Sequence, residues 1–474
     1  MEQIQTEIVV IGAGPGGYAA AFYAADLGKK VLLVEKDPRL GGVCMNRGCI
    51  PSKALLNASH VLSAVKESAH RGISFGEPKI ELDKLRAWKD SILEKLGGGV
   101  ASLAKMRGVT VLHGRAHFED STTLRVETSE GQRYVKFEKA IVAVGSRPAL
   151  PKAFDLGNPR VMTSTEALEV PDIPENLLVI GGGYIGMELG TVYATLGSKV
   201  TVIEAAGAIL AGADPDLVRP VAAFAKKAFK EIRLNSKVLE IKTSGKQIKV
   251  TSETAGQKLE EYYDRVLVSV GRAPNSQDLG LENTQVQLDD DKRWIKVDER
   301  MATSDPNIYA IGDTVGGIQL AHKASKEARI AVENIAGDGN AVNRDYLIPA
   351  VVFTDPEVAW VGLTETEAKA KGIEVQVVKF PWGASGRALT YDRTDGSTKL
   401  IIDPTTERIL GVGIVGHGAG ELIGEGTVAI EMGATVHDLG AIVHPHPTLS
   451  ETLMEGAEVF FGHSTHVFSK RKTH

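Results

Sequence analysis

Only two cysteines occur in 474 residues, Cys44 and Cys49, so no set of four thiolates exists to build a structural zinc site. No apolar run approaches the ~20 residues of a membrane span. Ile8 to Ile11 follows polar and acidic residues and runs straight into Gly12, so no basic segment and apolar core of an export signal opens the chain. The reducing cytoplasm is the expected compartment, where a disulfide would be transient and catalytic. Basic clusters are also missing before the tail Lys470-Arg471-Lys472, and 54 Lys and Arg against 60 Asp and Glu leave a net charge of −6. Nucleic acid, whose phosphates call for clustered positive charge, is thereby excluded as the main partner, and no membrane partner is expected. What remains is ordinary soluble composition, 43% apolar and 24% charged, long enough for two to four domains of about 100–200 residues.

Glycine is in surplus: 51 residues, without collagen period or low complexity. Such a surplus points to tight turns where backbone approaches a ligand. Shifting the chain against itself by 169 positions reveals a duplication. Glu7 to Ile11 reads as a buried strand, Gly12-Ala13-Gly14-Pro15-Gly16-Gly17 as a turn, Tyr18 to Leu27 as a small-residue helix stopped by Gly28, and Val31 to Val34 as a strand ending at Glu35. The second copy runs Leu177 to Ile180, Gly181-Gly182-Gly183-Tyr184-Ile185-Gly186, a helix to Leu196, Gly197, and Val200 to Ile203 ending at Glu204. A lone G-x-G-x-x-G is weak, but here each copy lies between a strand and a helix and is followed by an acidic residue. The first glycine (Gly12, Gly181) permits the turn and the second (Gly14, Gly183) lets backbone approach a pyrophosphate at the helix N-terminus. The third (Gly17, Gly186) allows close helix–strand packing. Glu35 and Glu204 would accept hydrogen bonds from ribose hydroxyls and repel a 2′-phosphate, which favours NAD over NADP. The bland alternative is two glycine-rich turns with surface carboxylates.

Ala140 to Val144 ends in Gly145, and Val266 to Val270 ends in Gly271, each followed by Pro; these are expected crossings between domains. A third strand signal ends at Gly312-Asp313. From Tyr346 the pattern changes to short strands, Thr398 to Ile402 and Leu410 to Val415 among them, and two helices, one over Glu421 to Met432. The expected fold class is α/β, with two Rossmann-like dinucleotide-binding domains and a C-terminal α+β domain. The expected units are 1–146, 147–272, a return to the first domain over 273–345, and 346–474.

Both cysteines lie in Cys44-Met45-Asn46-Arg47-Gly48-Cys49-Ile50-Pro51-Ser52-Lys53, just after the first nucleotide motif. Free cysteines are most often small buried hydrophobes, and that alternative stands beside a catalytic one. Five residues of regular helix rise about 7.5 Å, whereas bridged cysteines need Cα atoms within about 7 Å. A regular helix cannot hold this bridge, and Gly48 is the expected point of distortion, giving a strained, exchangeable disulfide. Lys53, four residues beyond Cys49, shares its face if helix resumes at Pro51 and would favour an anionic sulfur; a solvated lysine is the alternative. Near the C-terminus, His444-Pro445-His446-Pro447-Thr448-Leu449-Ser450-Glu451 places histidines between prolines, with Pro447 expected at the first helical position. A His is a natural base near neutral pH and Glu451 can orient it, although a surface or core histidine has the same composition. His113 and His117 have metal-like helical spacing but no third ligand nearby, so no metal is expected.

The cysteine segment and the C-terminal signature resemble the FAD-dependent pyridine nucleotide–disulfide oxidoreductases, and most closely their dihydrolipoamide-oxidising branch, from about Ile8 to Glu451. The resemblance implies FAD at the first motif, with Gly42, Lys53, Ala116, Gly145, Asp313 and Ala321 joining Gly12, Gly14, Gly17 and Glu35, and His322 beside it. It implies NAD at the second, with Tyr184, Val238 and Gly271 joining Gly181, Gly183, Gly186 and Glu204. By the same resemblance Cys44 exchanges with substrate, Cys49 faces the flavin, Lys53 pairs with Glu188, and His446 with Glu451 serves as base in the opposite subunit of a homodimer. The implied partners are lipoyl domains of 2-oxoacid dehydrogenase complexes or a glycine-cleavage carrier. Tyr184 departs from the aliphatic residue common in that branch and raises a glutathione-reductase-like alternative, which the acidic Glu204 opposes. Missing terminal cysteines oppose mercuric reductase, and the cysteine pair itself opposes a soluble transhydrogenase. A non-catalytic dinucleotide-binding regulator is the alternative from another class.

Overall fold

The computed structural model describes residues 3–342 and 346–468, so the basic tail and the expected boundary at 345/346 lie outside or beside the described residues. The chain opens β1 (Gln3–Ile11), α1 (Pro15–Asp26), β2 (Val31–Glu35), α2 (Gly42–Arg47), α3 (Cys49–Glu67), α4 (Leu82–Met106), then β3 (Thr110–His113), β4 (Arg115–Asp120), β5 (Thr123–Thr128) and β6 (Gly131–Val142). β3, β2, β1 and β6 are parallel neighbours, β6 turns back through antiparallel β5 and β4, and β17 (Ile308–Ala310) returns much later to pair with β6. Sheets covered on both faces need uninterrupted apolar strands, and β2 is buried at all five positions, Glu35 included.

The second unit is wound the same way. After β7 (Ser146–Pro148), β8 (Val161–Met162) and α5 (Ser164–Ala167) come β9 (Asn176–Ile180), α6 (Tyr184–Leu196), β10 (Lys199–Ile203), α7 (Pro215–Ala228) and β11 (Glu231–Arg233). An antiparallel trio of β12 (Ser236–Ser244), β13 (Gln247–Thr254) and β14 (Gln257–Tyr263) leads into β15 (Arg265–Val268). The parallel order is β11-β10-β9-β15-β8. Val9 opposes Leu32 in the first sheet and Leu178 opposes Thr201 in the second, so the 169-residue offset extends to strand register. β16 (Arg272–Pro274) pairs with β7, so the chain enters and leaves the second unit through one two-stranded ribbon.

Small residues let helices of the first unit lie close. Ala20, Ala21 and Ala24 of α1 are fully buried, and a Cβ on Gly16 would come within 3.1 Å of Ala324 in α8 (Ala321–Ala336). The rest of the chain is an antiparallel sheet, β18 (Ala350–Val352), β19 (Glu357–Gly362), β22 (Ile409–Gly416), β21 (Ser397–Ile402) and β20 (Gln376–Pro381) in spatial order. Five α-helices accompany it: α9 (Glu365–Lys371), α10 (Gly386–Tyr391), α11 (Ala419–Glu431), α12 (Val436–Ala441) and α13 (Glu451–Phe461). The expectation of two helices there was too few, because α9, α10 and α12 are only six or seven residues long and carry little periodic signal. Among the described residues no helix is long and apolar enough to cross a membrane.

Candidate redox site

The glycine turns dictate the geometry of both nucleotide sites. Gly12 and Gly181 hold φ of +97° and +106°, and a Cβ on either would lie 2.5 Å from a carbonyl of the adjacent crossing strand. A Cβ on Gly17 or Gly186 would fall 1.7 or 2.1 Å from the carbonyl of that first glycine, so the third glycine seats the helix on the strand as the motif requires. The acidic residues repeat too. Glu35 accepts from the Ala13 amide at 2.7 Å and the Asp37 amide at 2.9 Å; Glu204 accepts from Gly182 and Ala206, both at 2.6 Å. Each carboxylate is thus held in place at the end of its second strand, with lone pairs left for ribose hydroxyls.

A cavity of about 530 Å³ is lined by the first turn at Gly12 and Gly14, by Glu35, Gly42 and Ala116, by Cys44, Cys49, Lys53, Tyr184 and Glu188, and by Gly145, Asp313 and Ala321. Its chemistry suits an FAD-sized group. The N-terminus of α1 has no capping side chain and no acidic residue in its first turn, leaving amides free for phosphate. Gly42 lies so close to Gly14 that a Cβ would come within 2.5 Å. Ser146 donates to Asp313 and is itself held by the Arg272 guanidinium at 2.7 Å, which aims the carboxylate. A second cavity of about 150 Å³ is lined by Gly182, Gly183, Tyr184 and Glu204, with Val352 and Trp360 of the C-terminal sheet opposite. Tyr184, the first residue of α6, lines both cavities.

The cysteines sit where helix is interrupted. α2 ends at Arg47, Gly48 departs from helical geometry (φ −149°, ψ −110°), and α3 begins at Cys49 rather than at Pro51. Proline is compatible with the first turn because its missing N–H has no partner there. A Cβ on Gly48 would meet the Val43 carbonyl at 2.9 Å and Cys44 Cα at 3.3 Å, so the break needs glycine for closeness. Both sulfurs are free thiols in this structure, Cys44 half-buried and Cys49 exposed. A hydrogen bond between them, with burial, pushes the Cys44 thiol well up. The same bond brings Cys49 down to about 7, aided by the Lys53 ammonium and opposed by burial and Glu188. Lys53 Nζ donates to Glu188 Oε2 at 2.8 Å, Ser52 Oγ to the same oxygen at 2.9 Å, and the Phe353 amide to Oε1 at 3.0 Å.

The C-terminal pair is assembled as expected, by different local means. His446 Nδ1 meets Glu451 Oε1 at 2.9 Å, and Glu451 Oε2 accepts from the Thr448 amide at 2.7 Å. Burial raises the Glu451 pKa, but the Thr448 amide and His446 outweigh it and hold the carboxyl below its ordinary value. The helix starts at Glu451, not at Pro447, because Thr448 closes a turn first: its hydroxyl donates to the Pro445 carbonyl at 2.7 Å. His446 is largely exposed and does not line the cavity of its own chain. Its neighbour His444 is bonded to Glu425 at 2.6 Å.

Other expected positions fall elsewhere. Val238 packs beside the buried cluster that includes Ile203 and Ile241, and Gly271 makes a positive-φ turn (+118°); neither lines either of these two cavities. His322 faces the Pro349 carbonyl at 2.8 Å, away from the cavity that its neighbour Ala321 lines. His113 and His117 sit on strands β3 and β4, so their spacing is not helical. The only cluster of metal-ligand type among the described residues, Asp214, Asp216 and Glu365, surrounds the buried Lys399 ammonium, bonded to Asp214 and to Asp216 at 2.8 Å. Sequence reasoning gave no role to Ser52, Phe353, Arg272, Thr448 and Trp360; Ser52 adjoins Lys53, Arg272 adjoins Gly271 and Thr448 lies between His446 and Glu451, whereas nothing local to Phe353 or Trp360 signals the site.

Known proteins agree with this geometry. The signature described as pyridine nucleotide-disulphide oxidoreductase matches residues 6–328, and that of the dimerisation domain of the same enzymes matches 348–457. A dihydrolipoyl dehydrogenase of Vibrio parahaemolyticus is 45% identical over 471 residues, 99% of this chain and 98% of the relative. One from Geobacillus stearothermophilus is 46% identical over 98% of both. Among solved structures, LpdA of Mycobacterium tuberculosis superposes with a TM-score of 0.88 at 26% identity, covering 96% of this chain and 99% of that one. The HOCl-induced flavoprotein disulfide reductase RclA of Escherichia coli superposes at 0.86 and 29% identity, covering 97% and 100%. Matched nearly end to end, in sequence and in fold, this chain belongs to the pyridine nucleotide–disulphide oxidoreductases, FAD-containing and NAD(P)-dependent enzymes with a dimerisation domain, among the dihydrolipoyl dehydrogenases.

Proposed function

We propose that the enzyme oxidises protein-bound dihydrolipoamide to lipoamide and reduces NAD+ to NADH, as the shared dehydrogenase of 2-oxoacid dehydrogenase complexes or of a glycine-cleavage system. The observation that carries the reading is that Cys44, Cys49, Lys53 and Glu188 line the same cavity as the first glycine turn, and that Tyr184 lines both this cavity and the second. FAD is proposed to lie along Gly12, Gly14, Gly42, Glu35, Ala116, Gly145, Asp313 and Ala321; when bound, it supplies the relay of an electron pair from the dithiol side to the nicotinamide side. NAD is proposed to use Gly181, Gly183 and Glu204, whose carboxylate opposes the 2′-phosphate of NADP.

In the oxidised enzyme Cys44 and Cys49 form the bridge. His446 of a second subunit takes the proton of one substrate thiol through Nε2, while Glu451 holds Nδ1 protonated. The resulting thiolate attacks Cys44 Sγ, and Cys49 leaves as a thiolate beside the Lys53 ammonium. The second substrate thiol then displaces Cys44, closing the lipoyl disulfide and leaving the enzyme reduced by two electrons. The four units proposed at 1–146, 147–272, 273–345 and 346–474 divide this work: flavin, nicotinamide, flavin again, and dimer contact with the base. The thiol chemistry suits a reducing cytoplasm.

Turnover with dihydrolipoamide against reduced glutathione, each with NAD and NADP, tests substrate and cofactor together; a preference for glutathione or NADP refutes the proposal. The shared site is tested by subunit complementation. Cys49→Ser and His446→Gln homodimers should both be inactive. Their randomly reassociated mixture should recover about a quarter of wild-type activity, since half the dimers are mixed and each has one intact site. No recovery would place the base in the same chain as the cysteines it serves.

A further inference from the structure

Lys53 carries a positive charge on a flexible stem, and its side chain keeps about a third of its surface exposed. One ion pair to Glu188 would leave such a chain free to sample other rotamers, because a long side chain held at a single point retains much of its entropy. A second restraint is present. The ammonium lies 4.4 Å from the centroid of the Phe353 ring, which belongs to the segment just after β18 in the C-terminal sheet. The root of that ring is pinned independently of the side chain, since the Phe353 amide donates to Glu188 Oε1 at 3.0 Å. Three parts of the fold therefore meet on one charge: α3 supplies it, α6 the carboxylate, and the C-terminal sheet the aromatic face.

We propose that Phe353 is a positioning residue of the redox centre, caging the Lys53 ammonium against Glu188 so that the charge stays beside Cys49. The inference rests on the disulfide-exchange reading above and adds a residue to it. Its logic lies in the sign of the charges. Lys53 favours the Cys49 thiolate while Glu188 disfavours it. A second carboxylate would restrain the lysine but cancel its effect on the sulfur. An aromatic face attracts a cation through its quadrupole and brings no net charge, so it restrains the ammonium without that cost. Among the described residues Cys44 from α2, Tyr18 from α1 and Tyr184 from α6 also interact electrostatically with Cys49, and burial raises the pKa of both tyrosines above the ordinary value.

The test uses the reduced holoenzyme, in which a Cys49 thiolate against flavin gives a long-wavelength absorbance band whose pH midpoint reports the sulfur. Mono-, di- and trifluorinated phenylalanine placed at 353 keep nearly the same shape while draining the ring face of negative charge. The midpoint should rise step by step with fluorination, reaching about half a pH unit with the trifluoro residue, and Phe353→Leu should shift at least as far. A midpoint unchanged along the fluorinated series overturns the cage. A shift in Phe353→Leu alone also overturns it, because that variant changes packing as well as charge. Absence of the band from the unmodified enzyme would refute the redox reading itself, an outcome distinct from a band that is present and indifferent to fluorine.

Discussion

Replacing Glu451 with glutamine changes one oxygen for an NH2 and nothing in size, yet the structure gives that amide no satisfactory orientation. The carboxylate serves two groups at once, His446 Nδ1 at 2.9 Å and the Thr448 amide at 2.7 Å. If the glutamine oxygen stays on the Thr448 amide, its NH2 faces Nδ1 and selects the tautomer whose proton is on Nε2, which cannot accept a proton from substrate. If it turns round, two N–H donors face each other at Thr448, a mismatch costing about 1–3 kcal/mol. In either case the negative charge that would stabilise the imidazolium is gone. General-base catalysis contributes about 10²–10⁴-fold, so kcat for dihydrolipoamide should fall by that range, about 2.7–5.4 kcal/mol of barrier. The assay is steady-state oxidation of dihydrolipoamide by NAD+, with NADH-driven reduction of a one-electron dye as the parallel reaction that involves no substrate thiol. The Glu451 carboxyl is held below its ordinary value. The wild-type carboxylate therefore stays ionised near neutral pH, and its own titration does not shape the profile there. A Glu451→Gln enzyme within about threefold of wild type would refute the orienting role, as would an equal loss in the dye reaction.

Gly48→Ala should cost about 1–3 kcal/mol of stability or displace the Cys44 segment, because the new Cβ meets the Val43 carbonyl at 2.9 Å. Denaturant unfolding and the rate of reaction with substrate dithiol check this, and a neutral result would mean the helix break does not depend on closeness. Lys399→Met removes the buried cation paired with the buried Asp214, leaving Lys379 on Asp216, and should destabilise by about 3–5 kcal/mol, read as a lowered Tm without loss of bound flavin. For Asp214, burial acts to raise the pKa, but hydrogen bonds from Lys399, Thr366 and the Glu365 and Thr366 amides hold it at about 2. A depressed carboxylate stabilises fully above its unfolded value, near 4, and loses that contribution as pH falls toward 2. Acid unfolding of the variant should therefore begin at higher pH than in the wild type, and an unchanged acid transition would remove Lys399 from the account. Glu204→Ala leaves the Gly182 and Ala206 amides without their acceptor and should raise KM for NAD+ more than it changes kcat, measured at saturating dihydrolipoamide.

The parts of the fold most legible in the sequence were those governed by local sterics. Gly12, Gly17, Gly181 and Gly186 occupy places where a Cβ would strike backbone, so their spacing alone carried the two turns and the duplication. The break at Gly48 followed from helix rise against disulfide reach. Legibility failed where a contact is made across the fold. Phe353 reaches Lys53 across a sequence separation of 300, and Asp214 reaches Lys399 across one of 185, with nothing in the flanking residues to mark either. The start of α13 was misplaced for a related reason. A proline after histidine is a good first helical residue, but the Thr448 hydroxyl and the Glu451 carboxylate offered the backbone a competing turn.

The duplication also bears on why only one of the two cradles is proposed to handle thiols. Adding 169 to Cys44, Cys49 and Lys53 gives Ala213, Val218 and Ala222, so the second unit has neither thiol nor ammonium at these offsets. In the second unit Val218 of α7 is buried in the core, and Ala222 packs beside it. Asp214, at its N-terminus, is tied to Lys399 of the C-terminal sheet. With no sulfur and no free ammonium there, the second cavity can hold a dinucleotide but cannot exchange a disulfide. The first copy leaves its helix start at the cavity wall and fills those positions with thiols and a caged lysine. The fold therefore supplies two cradles of the same kind, and Cys44 of α2 with Cys49 and Lys53 of α3 are the side chains proposed to decide which of them does redox chemistry.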